Sequence, residues 1–295
     1  MGAEKSDVLR RHEQEIAGLD ALDVRRVERP SWTSVAWAMT WPKLAAIAVV
    51  LAIWEAIVSS GWRPRYVLPG PGAVLGELAE VLGTARFWSA TATTLRRGLL
   101  GFGLAVAIGT LAGMCVSQVP MLRRGFGSLV SGLQSMPSIV WFPLAIVLFQ
   151  LSESAILLVV VLGAAPSIAN GLVAGIDQIP PILLRAGYVL GARGLSAYRH
   201  VKLPAALPAY LAGLKQGWAF SWRSLMAGEL IVVVAARTSI GTELHYAQDL
   251  SDMPRLLAYM IVVLGIGVAV DALGFRTVER VVLSRRGLLG TPGST

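Results

Sequence analysis

Residues 207–235 form an apolar run interrupted by three charges, Lys215, Arg223 and Glu229. A charge at membrane depth is costly and turns toward a cavity or a partner. An arginine placed there can hold an anionic head group through charge-assisted hydrogen bonds, with Ser221, Trp222 and Ser224 beside it offering hydroxyls and a stacking face. Arg223 has two readings: it faces a translocation path for an anion, or it pairs with an acid on another helix, Glu55 or Asp271. Arg223 and Glu229 are six positions apart, about 120° short of two full turns, so they do not meet on one regular helix. Glu229 is expected to be structural or to anchor a gate loop, and Lys215 to snorkel to the cytoplasmic interface.

A second group is Ser135, Met136, Pro137, Ser138 and Trp141, inside the uncharged run 125–152 that Pro137 and Pro143 interrupt. Proline kinks or breaks a helix, and unwound backbone at membrane depth survives only against protein or a water-filled cavity. The break therefore lines a path or is a packing kink; Trp141, Trp218 and Trp222 either stack on a ligand or fill helix interfaces. A third group lies in 184–204, a basic, Gly-punctuated insert between apolar runs: Arg185, Ala186 and Gly187, then Gly191, Val201, Leu203 and Pro204. Bond-making chemistry has no such footing. His12, His200 and His245 fall on separate segments, and the chain holds no His pair at metal-ligand spacing, no nucleophile elbow and no phosphate-cradling Gly-Lys-Ser/Thr loop. A non-catalytic chain without metal or cofactor is expected.

The elements that must position these groups follow from composition. Hydrophobic residues make up 55% of the chain and charged ones 15%, with mean hydropathy +0.63, whereas a soluble domain carries about 25% charged residues. The net charge of +8 is scattered over loops, which fits basic loops beside anionic lipid and excludes a nucleic-acid-binding domain. Cys115 is the sole cysteine, so no disulfide framework exists within the chain. Roughly 20 apolar residues cross the hydrocarbon core, and six runs qualify: 44–60, 98–122, 125–152, 154–176, 207–235 and 256–275. The expectation is an all-α polytopic membrane protein with six transmembrane helices at 43–283, an N-terminal segment 1–42 and a tail 284–295.

Arginines at 10, 11, 25, 26 and 29 place the N-terminus in the cytoplasm, together with Arg123, Arg124, the insert and the C-terminal tail. The stretch 61–97, expected outside, resists with Arg63, Arg65, Arg86, Arg96 and Arg97. The N-terminal segment is too long and polar for a cleaved signal; its residues 6–27 form either an interfacial helix or a mobile tail. In the insert, Pro180-Pro181 starts a short helix over 182–192, Gly194 breaks it, and Ser196 caps a second helix running toward Leu203. Two short helices at a Gly turn make a protrusion that fits a cleft on another protein.

That insert resembles the "EAA" loop of ABC-importer permease subunits: Glu-Ala-Ala, three residues, Gly, nine residues, Ile, one residue, Leu-Pro. Gly191, Val201, Leu203 and Pro204 fall at that spacing, while Arg185 stands for Glu, Gly187 for Ala and Val201 for Ile. Ser135-Met136-Pro137-Ser138, Gly163-Ala164-Ala165-Pro166, Leu68-Pro69-Gly70-Pro71 and Ile240-Gly241-Thr242-Glu243-Leu244 are similar to the nitrate/sulfonate/taurine branch. Residues 218–230 are most similar to aliphatic-sulfonate permeases. The resemblance implies a cytoplasmic-membrane permease of MetI-like fold that pairs with a second copy, sits on two ATPase subunits and takes solute from an extracytoplasmic binding protein. The cargo it implies is an aliphatic sulfonate first, then taurine, nitrate, bicarbonate or a pyrimidine precursor. A stand-alone secondary transporter would show inverted repeats, and none is visible.

Overall fold

The computed structural model describes residues 32–234 and 237–285, and every regular element among them is helical. Lipid offers no partner to a backbone amide, so each spanning segment must satisfy its own. The chain divides into two units at residue 60. Of the first, one helix is described, α1 (Trp32–Ser59), whose apolar stretch Thr40–Ser59 is 20 residues long, one crossing length. It starts upstream of the expected 44–60 run and carries Pro42 within it. The expectations for 6–27 and for the end of the tail lie outside the described residues.

The second unit runs α2 (Pro71–Leu82), α3 (Ala85–Gln118), α4 (Pro120–Ser135), a tight turn at Ser138–Trp141, α5 (Phe142–Phe149), α6 (Glu153–Asp177) and α7 (Pro181–Val189). A single helical turn at Leu195–Ala197 and a π-turn at Tyr198–Lys202 lead into α8 (Leu203–Ile231), then α9 (Ile240–Asp249) and α10 (Met253–Ala269). A second π-turn, Val270–Phe275, continues into α11 (Arg276–Arg285).

At the centre lies α6, with α3 and α8 packed along it. Small residues make this possible, because helices in lipid associate by close backbone approach. A Cβ on Gly171 of α6 would stand 2.6 Å from the Cα of Gly213 on α8, and one on Gly109 of α3 would stand 2.6 Å from the carbonyl oxygen of Ala165. Buried positions on α3 (Ala90, Thr94, Arg97, Gly101, Ala105, Gly109, Gly113) recur every three or four residues, one face of the helix. Phe142, Ile156, Val159, Val160, Trp218 and Leu225 fill the main apolar cluster.

Four described helices are long and apolar enough to cross a membrane: Thr40–Ser59, Ala85–Gln118, Glu153–Asp177 and Met253–Val282. The bent pair Met121–Ser135 and Ser138–Phe149 is a fifth if counted as one span. The expected run 207–235 falls mostly within the 29-residue α8, which begins four residues earlier and ends at Ile231, long enough to cross but less apolar than that set. The stretch 61–97, expected as a loop, is largely helical: it holds α2 and the start of α3, which Thr84 caps by accepting a hydrogen bond from the Phe87 amide at 3.2 Å.

Candidate functional site

Met136 is held extended (φ −74°, ψ 126°) because the following Pro137 excludes helical geometry from the residue before it. The helices on either side meet at 94°. Pro143 then restarts a helix in the first turn of α5, where its missing N–H costs nothing. Ser135, Met136, Pro137, Ser138 and Trp141 thereby line a recess of 330 Å³ that Gly163 and Phe220 help to close, and Arg223 reaches its wall.

Arg223 is exposed. Its Nε donates to the Ala219 carbonyl at 3.1 Å, and its guanidinium lies 4.7 Å from the Phe220 ring centroid. Among the described residues it has no carboxylate partner. Asp271, one expected partner, instead pairs with Lys215 at 3.3 Å and Arg276 at 3.7 Å. Lys215 is therefore tied to an acid and not simply snorkelling. Arg223 also borders a second cleft of 560 Å³, lined by Trp218, Trp222, Gly267, Asp271 and Phe275. Trp222 belongs to that second cleft, where it stacks on Trp218 with centroids 6.1 Å apart. Ser221 lines neither space; it is 1% exposed, and its hydroxyl has no hydrogen-bond partner among the described residues.

The insert differs from expectation in its internal stops. Its first helix ends at Val189, and Gly191 ends it: at φ +83° it takes the left-handed position of a Schellman cap. The Ala192 amide donates to the Gly187 carbonyl at 2.9 Å and the Gly191 amide to Tyr188 at 3.0 Å. Gly194, also at positive φ, begins the next turn, so Ser196 does not cap it. Leu203-Pro204 does not end the insert. Pro204 has no amide to donate, and the π-turn before it, with Leu203 N–H donating to the Tyr198 carbonyl, carries the chain straight into α8.

Two of the departures from the loop pattern meet in space. A Cβ on Gly187 would stand 2.7 Å from a methyl of Val201, so a small residue at one end of the insert accommodates the residue at the other. Arg185 and Ala186 are exposed, as are Val189, Leu190 and Leu195. Arg193 sits 4.8 Å from the Tyr188 ring centroid and Lys202 4.4 Å from that of Tyr198. Arg123 on α4 pairs with Asp177, just ahead of the insert.

A buried ionic cluster at the opposite end of α6 holds residues that sequence reasoning missed. Glu229 is fully buried and accepts from Arg97 Nη1 (3.0 Å), Thr94 Oγ1 (2.8 Å) and the Gly241 amide (3.1 Å). Arg97 Nη2 donates to Glu153 at 3.3 Å, and Thr94 Oγ1 accepts from the Ile240 amide at 2.9 Å. Nearby, buried Glu243 pairs with Arg86 at 2.6 Å and Arg255 at 3.7 Å. Two of the arginines that resisted the orientation rule are thus neutralised in ion pairs. The signal was available: Glu229, inside an apolar run, needed a cation, and Arg97 borders the uncharged run that begins at Gly98. Outside the spans, Glu77 on α2 holds its proton more tightly than an ordinary carboxylate, through burial first and then the charges of Asp252 and Glu80, against Arg255. Among the described residues no three His, Cys, Asp or Glu side chains converge on a metal position.

Residues 105–282 match the protein family described as "Binding-protein-dependent transport system inner membrane component". The taurine transport system permease protein of Escherichia coli strain K12 is 28% identical over 80% of this chain and 86% of its own length. The riboflavin transport system permease protein of Chloroflexus aurantiacus is 28% identical over 78% of this chain and 83% of its own. A permease assigned to aliphatic sulfonates in Escherichia coli K12 is 26% identical over 65% and 72%. In fold, the chain is similar to the methionine ABC transporter solved in inward-facing conformations, with TM-score 0.52 and 19% identity over 64% of this chain and 94% of that one.

Proposed function

The chain belongs to the binding-protein-dependent transport system inner membrane components, the permease subunits of ABC importers, and we propose that it carries a small anion, an aliphatic sulfonate before others, into the cytoplasm. As such a subunit it is non-catalytic; ATP is hydrolysed elsewhere. The observation that carries the cargo reading is Arg223, which has no carboxylate partner among the described residues while standing at the wall of the recess at the α4–α5 break. A sulfonate presents oxygens that a planar guanidinium can hold bidentately. Ser135, Met136, Pro137 and Trp141 line the same recess, Trp222 flanks the arginine from the second cleft, and Ser221 is buried on the inner side of the helix.

The taurine and sulfonate relatives support this cargo class. A relative named for riboflavin is equally similar, so the arginine, not the degree of identity, favours an anion over a neutral solute. Taurine, nitrate, bicarbonate and a pyrimidine precursor are the alternatives within the same importer class.

Coupling falls to the insert. Arg185, Ala186, Val189, Leu190 and Leu195 make an exposed, apolar and basic protrusion suited to a cleft on an ATPase subunit, with Gly187, Gly191, Val201, Leu203 and Pro204 giving it its shape. One insert per chain and two ATPase subunits call for a second copy of this chain, with both termini in the cytoplasm and the solute-binding protein at the α9 end. Uptake tests the cargo. In proteoliposomes holding the assembled importer, radiolabelled taurine, ethanesulfonate and nitrate are compared for wild type, Arg223→Lys and Arg223→Gln. Arg223→Gln should cut uptake of the transported anion by at least about tenfold, the loss of a hydrogen bond to a charged group, while ATP hydrolysis persists. Wild-type uptake by that variant would remove Arg223 from the path.

A further inference from the structure

Among the described residues, one side-chain hydrogen bond ties the insert to the bundle. Tyr198 and Gly187 are the buried residues of 181–202, and Tyr198 OH lies 2.5 Å from Ser117 Oγ near the end of α3. Higher on the same helix pair, Thr110 Oγ1 lies 2.6 Å from Tyr210 OH. At the far end, Thr94 and Arg97 of α3 hold Glu229 of α8. These three polar rungs all join α3 to the line formed by the π-turn and α8. From Arg97 to Ser117 they span about 30 Å, the thickness of the hydrocarbon core.

Against α6, by contrast, both helices rest on glycines, alanines and apolar side chains such as Val160 and Ile168. Among the described residues their one polar side-chain tie to α6 is Arg97–Glu153, at its first residue. Apart from that tie, no side-chain hydrogen bond among the described residues sets their register against α6. Hydrogen-bonded rungs in an apolar medium fix register, because a slip leaves hydroxyls or charges unpaired. The far end of the pair also holds α9 by its first two amides, one bonded to Thr94 of α3 and the other to Glu229 of α8. Gly241 admits no side chain there: its Cβ would fall 2.2 Å from that of Glu229.

We propose that the three rungs lock α3 and α8 into one rod that carries displacement of the insert to α9, with Tyr198 the positioning residue that joins the insert to the rod. This rests on the coupling role given to the insert above. The chain joins the insert to α6 through 178–180 and to α8 through the π-turn; the Tyr198–Ser117 rung makes α3 follow. Without it, α8 is pushed while α3 stays, and the clasp on α9 is sheared instead of moved.

The test uses the whole importer, with the ATPase subunit that co-purifies with this chain, in nanodiscs. Amide hydrogen exchange is followed at 181–202 and at 240–250, without nucleotide and after trapping with ATP and vanadate. Wild type should respond at both places. Tyr198→Phe, which removes only the hydroxyl, should keep the response at the insert and reduce that at α9 by about fivefold, the weight of one hydrogen bond. Ser117→Ala should do the same without touching the insert surface, Ser117→Thr should restore the response, and the double variant should be no worse than either single one. A Tyr198→Phe or Ser117→Ala complex whose α9 responds as wild type overturns the rod and leaves the importer reading intact. A wild-type complex whose insert ignores nucleotide overturns both.

Discussion

Glu229 has no solvent to stabilise its charge, and its two oxygens take three donors from α3 and α9. A buried ion pair adds little net stability compared with a well-packed apolar pair, but removing one member leaves an unpaired charge in a dry site. Glu229→Ala should therefore destabilise the chain by about 3–5 kcal/mol, whereas Arg97→Met with Glu229→Leu should cost clearly less than that single change. Thermal unfolding of the detergent-solubilised protein measures both, and a double variant as unstable as Glu229→Ala would count against the pair. Glu229 was legible in the sequence as an anchor, and its failure to meet Arg223 followed from helical spacing. Its partner Arg97 stands at the edge of the uncharged run that begins at Gly98, but spacing along the chain does not say which of the basic residues reaches Glu229. The left-handed cap at Gly191 was hidden in another way: Gly191 and Gly194 carry the same licence for positive φ, and only the hydrogen bonds to Gly187 and Tyr188 show which one ends the helix.

Helix crossing is where glycine spacing becomes structure. Gly103 and Gly171 are both interior helical glycines, yet a Cβ on Gly103 meets nothing within 4 Å and one on Gly171 meets the backbone of α8. Ala in place of an interior helical Gly gains about 0.5–1 kcal/mol from backbone entropy; overpacking costs about 1–3 kcal/mol. Gly103→Ala should thus leave stability level or slightly raised, while Gly171→Ala lowers it, as read by unfolding midpoints in detergent. Equal midpoints for the two variants would mean that α6 and α8 do not cross this closely. The same small-residue logic explains the Gly187–Val201 contact in the insert: two departures from the loop pattern that look independent along the chain are one packing unit in space.

For the whole molecule, the insert and the ionic cluster lie at opposite ends of the 25-residue α6, about 37 Å apart along its axis. The proposed orientation puts the insert inside and α9 outside. With Cys115 replaced by Ala, a cysteine introduced at Ser196 should react with a membrane-impermeant maleimide only when the cytoplasmic face is open, and one at Gln248 should react in intact cells. The reverse pattern would invert the topology and with it the direction of transport. The arginines of 61–97 no longer oppose this orientation as strongly, since Arg86 and Arg97 are neutralised by Glu243, Glu229 and Glu153.

The sequence by itself determined the medium, the helical class, the proline break and the place of the basic insert. These depend on composition and on residues close in the chain, where hydropathy and spacing act directly. Tertiary structure alone decided which charges meet, which tryptophan faces which cleft and how the insert is tied to α3. The physical reason lies in the helices themselves: α6, buried against neighbours and lipid alike, is apolar around most of its circumference, so no polar stripe reveals which face turns inward. Its packing fixes the rotation of α3 and α8, and that rotation brings Arg97 to Glu229 and Ser117 to Tyr198 across 132 and 81 residues of chain.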